Sequence, residues 1–161
     1  MEQLALLDMP LPYKYIIDAS SMLSQKDGEP NTRVVHKSLW RYIDSLIKNE
    51  FIVTCSEVAE EIQDSEILQW LKDTGCKILP VDDTIQANVA NVVTNQPDLI
   101  DFKKVKSSGD AFLIATAMKF GLIIITEEKK NSPKKIPQVA STFNITTVNI
   151  NEFCTLEEME F

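Results

Sequence analysis

A chain of 161 residues with 44% hydrophobic and 25% charged content is long enough to bury a core and reads as one globular domain. No apolar run approaches the length of a membrane span, no internal repeat is visible, and acids inside the short apolar N-terminal run argue against a signal peptide. The scattered Cys55, Cys76 and Cys154 fit neither a zinc nor a redox motif and point to reduced thiols in the cytoplasm. The net charge of −8 speaks against a plain nucleic-acid binder, yet eight of the 16 basic residues lie between Lys103 and Lys135 against three acids. That window carries +5 and the remainder −13, which reads either as a solvated lysine surface or as a phosphate-attracting rim.

Residues 1–12 form a lead-in broken by Pro10 and Pro12. Tyr15, Ile16 and Ile17 predict a short buried strand ending at Asp18, and the polar stretch SQKDGEPNT predicts a loop. Leu39, Trp40, Ile43, Leu46 and Ile47 recur at helical spacing, so a helix is expected over 35–48. A second strand is expected at 51–53. Thr54 with Glu57 matches a capping box that would open a helix burying Val58 and Ile62. A further helical piece with Ile67, Leu68 and Leu71 should stop at Gly75. Residues 77–81 predict a third strand, and Asp83 is placed as the cap of a helix burying Ile85, Val89, Val92 and Val93. After a loop over 98–107, Ser108 is placed as the cap of a helix in which Ala111, Phe112, Ile114, Ala115 and Met118 share a face. Gly121 supplies its left-handed stop. The solid apolar run 122–125 predicts a strand covered on both faces. A loop with Pro133 and Pro137, a short helix near 138–143, a strand over 146–150 and an acidic tail over 151–161, itself a short helix, complete the order.

Strands alternating with helices predict a three-layer α/β/α sandwich with a five-stranded, mostly parallel sheet. Its core spans about 13–150 of a single domain, 1–161. In such folds ligands gather at the carboxyl ends of the strands. That edge would hold Asp18, Glu127 and Glu128, with Asp110 at a helix start and an acid from the 54–63 helix beside them. Each acid alone has a plain explanation; Asp110, for one, complements a helix dipole for about 0.3–1 kcal/mol. Several carboxylates converging without basic partners would repel, unless a hard cation such as Mg²⁺ or Mn²⁺ lies between them. Competing chemistries lack their residues. There is no GxxxxGK[ST], GxGxxG or GxSxG motif, and the single histidine, His36, reads as a solvated cap.

The segments YIIDAS, EVAEEI, SGDAFLIATAMKFG and IIITEE, in this order and at these separations, resemble the PIN-domain superfamily of metal-dependent ribonucleases. The resemblance covers roughly 13–150 and is strongest to small single-domain prokaryotic proteins, which include toxins of toxin–antitoxin pairs. It implies a hydrolase cleaving RNA phosphodiester bonds with Mg²⁺ or Mn²⁺ as cofactor. Asp18 and Asp110 would hold the metal directly, and Glu61 and Glu128 would complete the site through water or position a second ion. Glu60 stands one residue from the assigned Glu61, and Glu57 one turn away. The fourth acid is usually Asp, so Glu128 departs from the pattern, while Ser20 stands where Asn or Ser is expected. Ser20 and Thr126 would orient carboxylates or waters, and Lys103, Lys104, Lys106, Lys129 and Lys130 would grip RNA phosphates. The resemblance implies RNA as substrate and an antitoxin protein as partner; it admits a homodimer and involves no membrane. Two other readings stay open: a non-catalytic PIN-like domain binding RNA or protein, and a receiver-like domain phosphorylated on Asp18.

Overall fold

The computed structural model describes residues 11–95, 109–130 and 135–159. Among these, five strands form one all-parallel sheet in the order β3-β2-β1-β4-β5. The strands are β1 (Tyr15–Ile17), β2 (Ile52–Cys55), β3 (Ile78–Leu79), β4 (Ile123–Ile125) and β5 (Thr147–Val148). β1 is central and wholly buried, which is why it reads as an unbroken apolar run rather than an alternating one. Eight helices flank the sheet: α1 (Ala19–Leu23), α2 (Lys37–Lys48), α3 (Ser56–Glu61), α4 (Ser65–Thr74), α5 (Asp83–Asn95), α6 (Gly109–Phe120), α7 (Ile136–Thr142) and α8 (Ile150–Leu156). This is the expected three-layer α/β/α architecture, with every described strand pair parallel.

The helices form where apolar side chains recur at 3.6-residue spacing. α2 buries Leu39, Trp40, Ile43 and Ile47 and packs against α4. α6 is buried on nearly all sides, at Ala111, Leu113, Ile114, Ala115, Thr116 and Ala117, because it packs against α3 and α5 as well as the sheet. Gly121 then takes φ 65°, the left-handed stop that a side chain would resist.

Several local expectations are corrected. Thr54 caps no helix: it lies in β2, and its hydroxyl donates to the Ile17 carbonyl at 3.0 Å. The helix opened by Cys55 instead is short, running only from Ser56 to Glu61. Asp82, not Asp83, caps α5, accepting from the Ile85 amide at 2.8 Å. Leu68 is exposed rather than facing the core. Pro137 lies inside the first turn of α7, where its missing N–H costs nothing. α1 occupies residues expected to lead straight into a loop. The Ser108 cap and the whole 98–107 loop lie outside the described residues. The acidic tail does form a helix, opened by a capping box between Asn149 and Glu152. Its Phe153 is fully buried, edge-on to Tyr15 at 5.1 Å, so the core extends past residue 150. All three cysteines are free. No described helix is long and apolar enough to cross a membrane.

Candidate metal centre

The winding reverses between β1 and β4, and the crevice outside their carboxyl ends is where a doubly wound sheet leaves room for a ligand. The Asp18 amide donates to the Ile125 carbonyl at 2.9 Å and the Thr126 amide to Val148 at 2.9 Å. These bonds carry the ladder one residue past each strand and set Asp18 beside Thr126. The Asp18 Oδ2 atom accepts from the Ser20 hydroxyl at 2.7 Å and from the Thr126 hydroxyl at 3.0 Å. Those two hydroxyls are themselves 3.2 Å apart. Asp18 is 6% and Thr126 2% exposed, so two short hydroxyl contacts fix a nearly buried carboxylate.

Glu61, the last residue of α3, reaches across to the start of α6, where the Gly109 amide donates to its Oε1 at 2.6 Å. A Cβ at Gly109 would lie 2.7 Å from Glu61 Oε2. Glycine is required here by the close approach of a carboxylate rather than by backbone angle. Asp110 follows in the first turn. Its carboxyl is pushed up to about 7, first by burial and then by the negative charges of Glu128, Asp18 and Glu61, with Lys135 opposing. Glu128 is raised too, by burial and then by Asp18, again against Lys135. Its Oε2 is buried with no hydrogen-bond partner among the described residues.

Asp18, Glu61, Asp110 and Glu128 thus share one electrostatic neighbourhood. Of the adjacent pair, Glu61 rather than Glu60 acts on Asp110; Glu60 is exposed and acts on Glu57, whose carboxyl is raised by burial and then by Glu60 and Glu61. The donor set is all oxygen, which suits a hard cation. An orphaned buried oxygen on Glu128 and a carboxyl on Asp110 held up by burial and then by its negative neighbours also fit positive charge between them. Against this, no group of three or more His, Cys, Asp or Glu side chains among the described residues is arranged to hold an ion directly. Mg²⁺ would need only one or two of these carboxylates, since it keeps several waters.

Lys103, Lys104 and Lys106 lie outside the described residues. Lys129 is exposed, whereas Lys130 pairs with Glu152 at the surface. An exposed pair of this kind is worth about 0–1 kcal/mol, so it is a weak hold on the lysine. Sequence reasoning missed the parts of Lys135 and Asn31, and placed Glu127 at this edge without its bonds. Lys135 was counted in the basic window but not as the cation opposing Asp110 and Glu128. Glu127 Oε1 accepts from Asn31 Nδ2 at 2.8 Å and from the Ile150 amide at 3.2 Å, and the Glu127 amide donates to Ser20 at 3.0 Å. Glu127 therefore ties the end of β4 to the 24–36 loop and to the start of α8. The Glu-Glu pair after β4 carried a hint of this; Asn31, in a polar loop, carried none.

Comparison with known proteins bears on fold and family. A family model described as "Domain of unknown function (DUF4411)" matches residues 15–161. No curated protein matches in sequence. Among solved structures, FitAcB from Neisseria gonorrhoeae aligns with 18% identity, covering 84% of this chain and 97% of that one at a TM-score of 0.51. VapBC2 from Rickettsia felis, solved bound to a DNA fragment from their promoter, aligns with 14% identity, 84% and 97% coverage and a TM-score of 0.53. VapBC-1 from nontypeable Haemophilus influenzae gives 13% identity, 85% and 98% coverage and a TM-score of 0.50. Identities this low speak to fold alone, and the fold they share with this chain is the PIN-like one expected from its sequence.

Proposed function

The chain belongs to the DUF4411 family, and we propose that it is a Mg²⁺- or Mn²⁺-dependent endoribonuclease. The observation that carries this reading is the shared neighbourhood of Asp18, Glu61, Asp110 and Glu128, in which Asp110 is held up to about 7 by its surroundings. Asp18 and Asp110 would hold the ion, with Glu61 and Glu128 reaching it through water. When bound, such an ion activates a water and offsets negative charge on a phosphodiester. The chain's own part is positional. The Ser20 and Thr126 hydroxyls keep Asp18 in one orientation, and the Gly109 amide fixes Glu61 at the rim. Lys135 tempers repulsion between Asp110 and Glu128. It also adds positive charge on the side from which a phosphate would come. Lys129, with Lys103, Lys104 and Lys106, would contribute affinity without sequence preference.

The reading extends to a partner. The structures this chain resembles carry paired names, FitAcB and VapBC2, which supports a toxin acting with an antitoxin protein, and admits a second copy of the chain. Growth arrest on expression, relieved by a neighbouring gene product, is the test of that part. For the chemistry, Asp18→Asn or Asp110→Asn should lower metal-dependent cleavage of a mixed RNA pool by about a hundredfold or more. Circular dichroism should show the fold retained. Mg²⁺ or Mn²⁺ should raise the melting temperature of the parent by mass action. Protein that binds RNA yet shows neither cleavage nor a cation-dependent melting shift would instead be a non-catalytic PIN-like domain.

A further inference from the structure

Outside the carboxylate crevice, the described residues line an open cavity of about 570 Å³ between the 24–36 loop, α2 and α4. Four cations line it, Lys26, Arg33, Lys37 and Arg41, against two acids, Asp27 and Glu66. Half of the basic residues outside the lysine window therefore converge on one cavity, in a part of the chain whose overall balance is −13. The four are not equivalent. Lys26 pairs with Asp64, and Arg33 is clamped by Asp44 at 2.9 and 3.0 Å and by Gln25 at 2.9 and 3.1 Å. Lys37 and Arg41 are exposed, lie four residues apart on one face of α2, and make no ion pair among the described residues.

The cavity also has a rigid aromatic wall. The Trp70 indole N–H donates to Asp44 Oδ1 at 2.8 Å, and its ring meets Trp40 edge-on at 6.0 Å. Asp44 thus fixes Arg33 and Trp70 at once, so the wall is set before any ligand arrives. A fixed planar ring beside two uncommitted cations is the combination that takes a base on its face and phosphates at its edge. The cavity is also joined to the crevice. α1, five residues long, leads from Asp18 to the loop that supplies Gln25 and Lys26, a rise of about 7–8 Å. From the same loop, Asn31 reaches back to Glu127.

We propose that this cavity is a second contact site for single-stranded RNA, holding a nucleotide away from the carboxylates with Lys37 and Arg41 on its phosphates and Trp70 beside its base. The proposal rests on the ribonuclease reading for the identity of the strand. Among the described lysines of the basic window, Lys119 pairs with Asp82, Lys130 with Glu152, and Lys135 faces Asp110, so the cavity's two unpaired cations would extend the hold on a strand.

The test is binding of a labelled single-stranded oligoribonucleotide in EDTA, read by fluorescence anisotropy across a salt series, so that cleavage plays no part. Lys37→Glu/Arg41→Glu should weaken binding tenfold or more and lower the log–log salt slope by about 1.4, two single-strand phosphate contacts. The doubly reversed Lys48→Glu/Lys72→Glu, at exposed sites outside the cavity, should change binding much less. Unchanged affinity and slope in the cavity variant overturn the proposal. So does an equal loss in the control pair, which would reduce the effect to net charge. A cavity variant that binds RNA normally but no longer assembles with a protein partner assigns the cavity to that partner and overturns it too. Failure of Asp18→Asn to affect cleavage would sink the ribonuclease reading on separate data.

Discussion

At the amino end of β1, Lys14 and the Tyr15 hydroxyl both reach Glu157 Oε2, at 2.8 and 2.5 Å, and Tyr42 donates to its other oxygen at 2.7 Å. At the carboxyl end of the same strand, Asp18 faces Asp110 and Glu128, and the opposing cation, Lys135, serves two acids. Burial pushes the carboxyls of Glu157, Asp110 and Glu128 upward, but the outcome differs. Around Glu157 the bonds from Lys14, Tyr15 and Tyr42 overcome burial and hold it below its ordinary value. At the other end burial and like charge act together, and Asp110 rises to about 7. Three donors satisfy Glu157, whereas burial and like charge raise Asp110 and Glu128 together. Acids at the two ends of one strand thus differ in what surrounds them.

The comparison predicts unequal responses to substitution. Glu157→Ala should cost most stability, about 3 kcal/mol by urea denaturation, since it strands the buried Tyr15 hydroxyl and removes a charged acceptor. Glu152→Ala, which breaks an exposed pair and one half of the α8 capping box, should cost only about 1 kcal/mol; equal losses would break the comparison. At the other end, Gly109→Ala should act on function. The added methyl meets the flexible tip of Glu61, so the side chain swings away. Metal-dependent cleavage should fall about 10- to 100-fold, with the denaturation midpoint nearly unmoved.

Smaller effects sharpen the contrast. Asp110→Asn should stabilise the metal-free protein by about 1 kcal/mol at pH 8, seen as a melting temperature a few degrees higher. It should also remove most of the stabilisation by Mn²⁺. A metal-free Asp110→Asn protein that melts lower than its parent would show that the acids do not repel. The finest test uses acid. Glu157 has a folded-state value below its unfolded one, so its stabilisation is fully present above about 4.5 and is lost as pH falls through the lower folded value. Glu157→Gln should therefore show a shallower loss of urea midpoint between pH 5 and 3 than the parent.

How much of this was legible beforehand follows from the range of each interaction. β1, β4 and α6 announce themselves because uninterrupted apolar runs and a glycine stop are local signals. Asp18 was visible as the polar residue ending such a run. The Thr54 cap failed because the box pattern is local but the hydroxyl's partner, Ile17, is 37 residues away. α1 is too short at five residues to show a period. Glu157 looked like one more acid in an acidic tail, since its partners Lys14 and Tyr15 lie 143 and 142 residues back. The cations lining the cavity are dispersed from Lys26 to Arg41 and converge only through the turn of a loop onto a helix.

The strand order also sets a timetable. β1 is made first, yet its neighbour β4 begins 108 residues after it, at Ile123. At about 5–20 residues per second on a ribosome, that gap is roughly 5–20 s of synthesis during which one edge of the central strand has no partner. Asp18 cannot meet Asp110 until 92 further residues have been made, or Glu128 until 110 have. A growing chain of this topology therefore carries the four acids apart until β4 has been made. Slow, non-local pairing thereby delays completion of the carboxylate crevice.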